Sequence, residues 1–236
     1  MIAGEYASAA DISRIRTELD LDRGFFARYA IYVSKLARFD LGTSISNGQS
    51  VSGLIADRFP ATLLLAAAAM FIAAAAGISL GVVCAVSRGT LLDRAILSTS
   101  SLFISAPVFV TCILLSFALS YCLGLLPPSG KQGLDPRYII MPALALASRS
   151  VALVIRVTRN EMISVLSTQF ITAARAFGFP ERTVVWRFAL RNILVPVAAV
   201  IVLDLGAYLG GAVVTEMVFS WPGVGRLLMT AIQKRD

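Results

Sequence analysis

The hydrophobic residues of the chain are gathered into long uncharged stretches. No residue from 59 to 87 is charged, and a second uncharged stretch runs from 95 to 130. Because a helix rises about 1.5 Å per residue and the hydrocarbon core of a bilayer is roughly 30 Å thick, about 20 apolar residues cross it. The pattern predicts two membrane-spanning helices, at 59–87 and 96–124, the second containing Pro107.

Two further stretches predict spans at 138–157 and 192–215. Arg149 and Arg156 interrupt the first, and Asp204 lies near the middle of the second. Both stretches are long enough to cross a bilayer, provided that the charged side chains face other helices or water. The sequence therefore predicts an all-α fold, a polytopic transmembrane helical bundle of about four spans within residues 59–236.

The composition supports a membrane protein and excludes several other classes. The chain has 236 residues, of which 57% are hydrophobic and 15% charged, whereas soluble domains are about 45–50% apolar and about 25% charged. His is absent and the three Cys lie in apolar stretches, so we predict neither a metal site nor a disulfide framework. The chain contains no G-x-x-x-x-G-K-[ST] phosphate loop, so ATP is expected to be bound by a separate polypeptide. We predict that the chain itself binds no cofactor and is not an enzyme.

Basic residues predict which side of the membrane each loop occupies. The loop at 88–94 has two Arg and one Asp, and the loop at 158–191 has five Arg and two Glu. The loop between the second and third spans has only one Lys, one Arg and one Asp. Since cytoplasmic loops carry an excess of Lys and Arg, the two richer loops are assigned to the cytoplasm. Residues 1–58 then form an extracytoplasmic segment. Because the location of the charges matters more here than the net charge of +7, we expect no nucleic-acid partner.

This orientation places both ends of the chain outside the cytoplasm. Residues 1–58 begin without the basic start and apolar stretch of a signal peptide. Residues 216–236 follow the last predicted span. We therefore expect a truncated chain that lacks one flanking span before its first residue and one after its last.

The loop at 158–191 contains a pattern typical of an amphipathic helix at 161–177. Apolar residues recur at steps of three or four, and polar residues at the same steps define the opposite face: Met162, Leu166, Phe170, Ala173 and Phe177 against Glu161, Ser164, Thr168, Thr172 and Arg175. Gly178 and Pro180 end the helix. Two interpretations stay open, a helix lying among membrane lipid headgroups and a helix that docks on a soluble partner.

The same loop carries a motif. Thr172-Ala-Ala-Arg-Ala-Phe-Gly178, nine further residues and then Phe188-Ala-Leu190 resemble the EAA loop of ABC importer permeases. The segments 174–182, 189–196 and 210–226 resemble the dipeptide, oligopeptide and nickel permease family. Weaker similarities, in the order typical of the family, lie at 40–44, 58–62 and 125–130.

The resemblance implies a type I ABC importer permease of the cell (inner) membrane. It implies a second permease subunit, two ATP-binding subunits that hydrolyse ATP, and an extracytoplasmic solute-binding protein as partners. The residues implied in coupling to the ATPase are Thr172, Ala173, Ala174, Arg175 and Gly178. The cargo implied is a peptide or a nickel complex.

The sequence departs from the family at three positions. Thr172 replaces the first Glu of the EAA motif, Arg191 stands where the general motif has a proline, and Asp204 replaces an amide that the family usually carries. Asp204 is a candidate for the translocation path, or it pairs structurally, for example with Arg149. Two alternative functions stay open: a secondary transporter driven by an ion gradient, and an inactive truncated permease remnant.

Two features near the end of the chain favour structural roles. Gly206 and Gly210 have the G-x-x-x-G spacing that permits close helix packing, with a gating role as the alternative. Trp221-Pro-Gly-Val-Gly225 predicts a turn in which the indole anchors at the membrane interface, again with a gate as the alternative.

Overall fold

The computed structural model describes residues 24–38, 40–130 and 135–236, with the backbone alone at 209–211. Its helices are α1 (Phe25–Ala37), α2 (Val51–Val86), α3 (Leu91–Ser105), α4 (Val108–Leu115), α5 (Arg137–Leu166), α6 (Gln169–Ala176), α7 (Leu190–Val218) and α8 (Val224–Lys234). A π-helix, Ser116–Cys122, continues α4, and the stretches Glu181–Thr183 and Val184–Ala189 lead into α7. Among the described residues, the extended pairing is confined to one bridge between Thr43 and Ser50.

The described helices include three that are long and apolar enough to cross a membrane. These are α2, α5 and the stretch Glu181–Tyr208, and the bent pair Leu91–Ser105 with Val108–Cys122 supplies up to a fourth span. Each has the length that a bilayer of roughly 30 Å requires. The predicted all-α polytopic fold is confirmed.

The stretch predicted as one span at 96–124 is divided at Pro107. Helix α3 ends at Ser105, α4 begins at Val108, and the two are bent by 111°. Proline has no N–H to donate and disfavours a helical conformation in the residue before it. Ala106 accordingly has an extended backbone, with φ −76° and ψ 130°. The segment is therefore either a broken span or a re-entrant loop.

Helix α5 is longer than the predicted span at 138–157. It continues to Leu166, so the predicted amphipathic helix at 161–177 is divided between α5 and α6. Ser167 ends α5, and Thr168 takes an extended backbone (φ −77°, ψ 155°) that begins α6 afresh. The two parts therefore do not share one continuous apolar face.

Helices α2 and α5 approach each other closely through two glycines. A Cβ atom on Gly77 would lie 2.6 Å from the Cβ of Val154, and one on Gly81 would lie 2.5 Å from the Cβ of Thr158. Such distances are far below van der Waals contact, so no side chain fits at either position. Small residues at this spacing allow helix backbones to pack tightly in a membrane.

The contacts divide the chain into two units. Met1–Arg58 together with Thr230–Asp236 form one, and Phe59–Met229 form the other. Within the second unit, one buried cluster joins α2, α5 and α7 around Leu65, Leu146 and Trp221. Another joins α2, α5 and α6 to the start of α7 around Val154, Ile171 and Ile193. The second cluster positions α6.

Candidate functional site

Helix α6 is a short helix that ends at a left-handed glycine. Gly178 has φ +82°, a conformation that favours glycine, and a Cβ there would meet no atom within 4 Å. The Gly178 N–H donates to the Arg175 carbonyl (2.9 Å) and the Phe179 N–H to the Ala174 carbonyl (3.3 Å). These bonds satisfy the last carbonyls of the helix, as in a glycine C-terminal cap.

One side of α6 is seated in the protein and the other is exposed. Ile171 is 0% exposed and Ala174 is 8% exposed. Of the other residues implied in coupling, Thr172, Ala173 and Arg175 are exposed. Ala174 therefore packs against the described protein and offers little surface to a partner.

The apolar face predicted for 161–177 does not coincide with the buried face of α6. Phe170 is 45% exposed and Phe177 is 83% exposed, and Ala173 is exposed as well. Phe179, just after the turn, is 46% exposed. We call Phe170, Ala173, Phe177 and Phe179 the exposed apolar surface of the turn. Exposed apolar groups clustered in this way are typical of an interaction site.

An ion pair and an aromatic contact brace the turn after α6. Arg175 donates two hydrogen bonds to the carboxylate of Glu181, of 2.7 and 3.3 Å. The rings of Phe179 and Phe188 meet edge to face, with centroids 5.2 Å apart. The chain on both sides of Gly178 is thereby joined, so α6 and the stretch that leads into α7 are linked across the turn.

A second ion pair joins α3 to α5. Arg159 donates from Nε and from a terminal nitrogen to the two carboxylate oxygens of Asp93, each at 2.8 Å. The Gly89 N–H also donates to Asp93, at 2.9 Å. The Asp93 side chain is 3% exposed and that of Arg159 is 19% exposed. Sequence analysis did not single out these residues, because the partners are 66 positions apart.

Asp204 has a carboxylate oxygen, Oδ2, that is buried and has no hydrogen-bond partner among the described residues. Arg149 is exposed, and the ion pairs of the described chain do not join it to Asp204. The structural pairing with Arg149 is therefore absent from this structure. An unpaired acidic residue at the centre of a span raises the free energy of membrane insertion by about 2.5–3.5 kcal/mol.

The middle of α7 leaves a wide surface uncovered by the described chain. Val195 is 78% exposed, Val202 is 64% exposed and Leu203 is 77% exposed. Gly206 is exposed, and a Cβ there would meet no atom within 4 Å. The close packing predicted for Gly206 therefore has no partner helix within the described part of this chain.

Glu216 stands at the centre of a buried junction that sequence analysis missed. It is 0% exposed, its Oε1 accepts from the Thr62 hydroxyl at 2.7 Å, and its Oε2 accepts from the Arg226 N–H at 2.9 Å. Thr62 also accepts from the Val224 N–H at 2.9 Å. Thr62 and Glu216 thus satisfy two of the free N–H groups at the start of α8.

The tryptophan of the following turn belongs to the same junction. Trp221 is 2% exposed and its indole N–H donates to the Ala61 carbonyl at 2.9 Å. An indole held in this way packs inside the protein, which corrects its prediction as an anchor at the membrane interface. The signal that could have indicated the junction is Glu216 in an otherwise apolar stretch, five residues before Trp221 of Trp-Pro-Gly-Val-Gly.

These features define a polytopic helical membrane protein in which a short braced helix stands between two long ones. Residues 77–236 match the family described as binding-protein-dependent transport system inner membrane components. The chain belongs to that family, and it is a membrane-embedded permease of the ABC transport class.

Relatives with assigned roles match nearly the whole chain. The chain is 36% identical over 244 residues to the di/tripeptide transport system permease protein DppB of Pseudomonas aeruginosa. This match covers 92% of this chain and 73% of DppB. The chain is also 36% identical over 236 residues to the glutathione transport system permease protein GsiC of Escherichia coli (strain K12), covering 100% of this chain and 76% of that protein. The GsiC protein of Salmonella typhimurium gives the same identity and coverage.

Proposed function

We propose that this chain is the transmembrane subunit of an importer that carries short peptides across the cytoplasmic membrane, driven by separate ATP-binding subunits. The relatives named for di/tripeptide and glutathione transport support a peptide cargo, and a nickel complex is the second candidate. The importer would comprise a second permease subunit, two ATP-binding subunits and an extracytoplasmic solute-binding protein.

The observation that carries the proposal is the exposed apolar surface of the turn at Gly178. A soluble ATPase subunit would cover Phe177, which is 83% exposed. Ile171 and Ala174 would hold α6 against its own chain. The pair of Arg175 with Glu181 would keep α6 and the stretch leading into α7 moving together. Closure of the ATPase subunits on nucleotide would then bias the spans between two states.

The test is a substitution that strains only the turn. Gly178→Val places a β-branched residue at φ +82° in open space, so the effect comes from the backbone and not from a clash. We expect the assembled transporter to lose peptide-stimulated ATP hydrolysis and uptake in proteoliposomes. Gly124→Val is the matched control, since Gly124 has φ +61° and also meets no atom within 4 Å.

Two outcomes would contradict the proposal. Normal coupled uptake in the Gly178→Val variant would remove the role of the turn in coupling. Labelling of a Thr172→Cys variant from the external face alone would place α6 on the side opposite to the ATPase subunits. A transporter that runs on an ion gradient predicts a third pattern, uptake that continues without ATP and is insensitive to vanadate.

A further inference from the structure

Helix α1 leaves its apolar side uncovered. Six of its apolar side chains are 43–84% exposed: Phe25, Phe26, Tyr29, Tyr32, Val33 and Leu36. At 3.6 residues per turn they fall on one side of the helix. The rings of Phe25 and Tyr29 stack along that side, with centroids 6.5 Å apart. A continuous apolar surface of this kind indicates an interaction site.

The opposite side of α1 is the one that faces protein. Ile31 lies there, and it is partly buried while every other residue of α1 is exposed. Within the described part of the chain, none of the thirteen residues of α1 is buried. The aromatic side is therefore left uncovered by the described residues of its own unit, 24–38, 40–58 and 230–236.

The charges of α1 match an anionic surface. Arg28 and Lys35 lie seven residues apart, on one edge of the apolar side, and Arg38 follows the helix. No acidic residue occurs from 25 to 38. Long basic side chains at such an edge reach outward to lipid phosphates while their stems lie along apolar surface.

Short connections keep α1 near the start of a membrane-spanning helix. The Asp40 N–H donates to the Lys35 carbonyl, and the Val51 N–H donates to the Gly42 carbonyl, each at 3.0 Å. Only one residue separates Asp40 from Gly42, and Val51 is the first residue of α2. The first uncharged stretch begins at Phe59, about 12 Å along the helix from Val51. The headgroup layer extends roughly 5–8 Å beyond the hydrocarbon core. The start of α2 therefore lies within about one helical turn of the outer edge of that layer, and the end of α1 is tied to that start.

We propose that α1 lies in the headgroup layer of the membrane that the chain spans. Its aromatic side would enter the boundary between headgroups and acyl chains, where Tyr and Trp are enriched. Arg28 and Lys35 would contact lipid phosphates. A lipid surface accounts for both the wide aromatic side and the basic edge that has no acidic residue. We therefore favour the membrane over a protein partner as the surface that α1 contacts.

The test measures the depth of each side of α1 in the reconstituted transporter. The exposed Cys122 is first replaced with Ala, since Cys84 and Cys112 are buried. A polarity-sensitive fluorophore is then attached at Phe26→Cys, with Ala27→Cys on the other side of the helix as the matched control. Val33→Cys and Ser34→Cys form a second pair. Vesicles contain phosphatidylglycerol and lipids with a quencher at a defined depth.

We expect quenching several-fold stronger at 26 than at 27, and stronger at 33 than at 34. Combining Arg28→Glu with Lys35→Glu should weaken the quenching at 26 in phosphatidylglycerol vesicles. Equal quenching on the two sides of the helix would overturn the proposal. Absence of quenching at 26 and 33 would overturn it as well, and would indicate that protein covers the aromatic side, whether residues 1–23, a second permease or a solute-binding protein.

Discussion

The hydroxyl of Thr62 donates a 2.7 Å hydrogen bond to the carboxylate of Glu216, 154 residues later in the chain. The same hydroxyl accepts from the N–H of Val224, and the other carboxylate oxygen accepts from the N–H of Arg226. One buried pair therefore joins α2, the end of α7 and the start of α8. The positive end of the α8 dipole also favours a carboxylate at this position.

Replacing Thr62 with Val should destabilise the protein. Valine has the same shape but no hydroxyl, so Glu216 and the Val224 N–H would each lose a partner in a buried site. We expect a loss of about 1–3 kcal/mol for each buried group left unsatisfied. The measurement is the midpoint of thermal unfolding in detergent, with the exposed Cys122 replaced with Ala. Unfolding is followed with a thiol-reactive dye that labels the buried Cys84 and Cys112 as they become exposed.

Thr62→Ser is the control, because serine keeps the hydroxyl and removes only a methyl group. Its unfolding midpoint should stay close to that of the unsubstituted chain. Equal midpoints for the Val and Ser variants would show that the hydrogen bond to Glu216 contributes nothing to stability.

Gly223 should tolerate no side chain. A Cβ there would lie 2.1 Å from Oε1 of Glu216 and 2.3 Å from its carboxylate carbon. Gly223→Ala must displace the carboxylate from Thr62, and we expect a fall in the unfolding midpoint at least as large as that of Thr62→Val. Gly206→Ala is the matched control, since Gly206 faces open space in a helix interior. A Gly223→Ala variant as stable as Gly206→Ala would contradict the geometry of the junction.

The long helices of this fold could be predicted because a membrane span requires about 20 consecutive apolar residues, which can be read directly from the sequence. The uncharged residues from 59 to 87 fall within α2 except for the last of them, and the stretch around Asp204 falls within α7. The 111° bend at Pro107 could not be predicted. Proline is compatible with a slightly bent span or a fully broken one, and the choice between them depends on packing that is distant in sequence.

The sequence predicts where α6 ends, but not which face of α6 is exposed. The ending of α6 at Gly178 follows from the residue type, and φ +82° confirms it. The exposed face of α6 differs from the prediction because Ser167 and Thr168 interrupt the helical periodicity. Counting positions continuously from Met162 therefore placed Phe170 and Phe177 on one face with Met162, whereas Met162 is buried and the two Phe side chains are exposed. Thr62 and Glu216 were missed because each looks ordinary without its partner.

The two ion pairs of this region should differ in strength. Asp93 and Arg159 are largely buried, with side chains 3% and 19% exposed, whereas Arg175 and Glu181 are 42% and 64% exposed. Removing one partner of a buried pair costs about 3–5 kcal/mol, and the partial exposure of Arg159 places Asp93→Asn near or below the lower end of that range. Glu181→Gln should cost about 0–1 kcal/mol.

The contrast is measured by the unfolding midpoints of Asp93→Asn and Glu181→Gln in the same detergent at two salt concentrations. Added salt should reduce the small effect of Glu181→Gln and leave that of Asp93→Asn almost unchanged, because screening acts mainly on exposed charges. Similar costs and similar salt dependence for both variants would show that the pair in α3 and α5 is solvated.

Replacing Asp204 with Asn should lower ATP-driven uptake without lowering the stability of the protein. The Oδ2 atom of Asp204 is buried and has no partner among the described residues, so removing the charge should leave the unfolding midpoint unchanged or raise it. If the carboxylate attracts a cationic group of the cargo in the translocation path, ATP-driven uptake should fall strongly in the same variant. Arg149→Gln tests the structural alternative, since a pair would make the double variant non-additive. A lower midpoint for Asp204→Asn, together with coupling to Arg149, would assign Asp204 to a structural role that forms only in the assembled transporter.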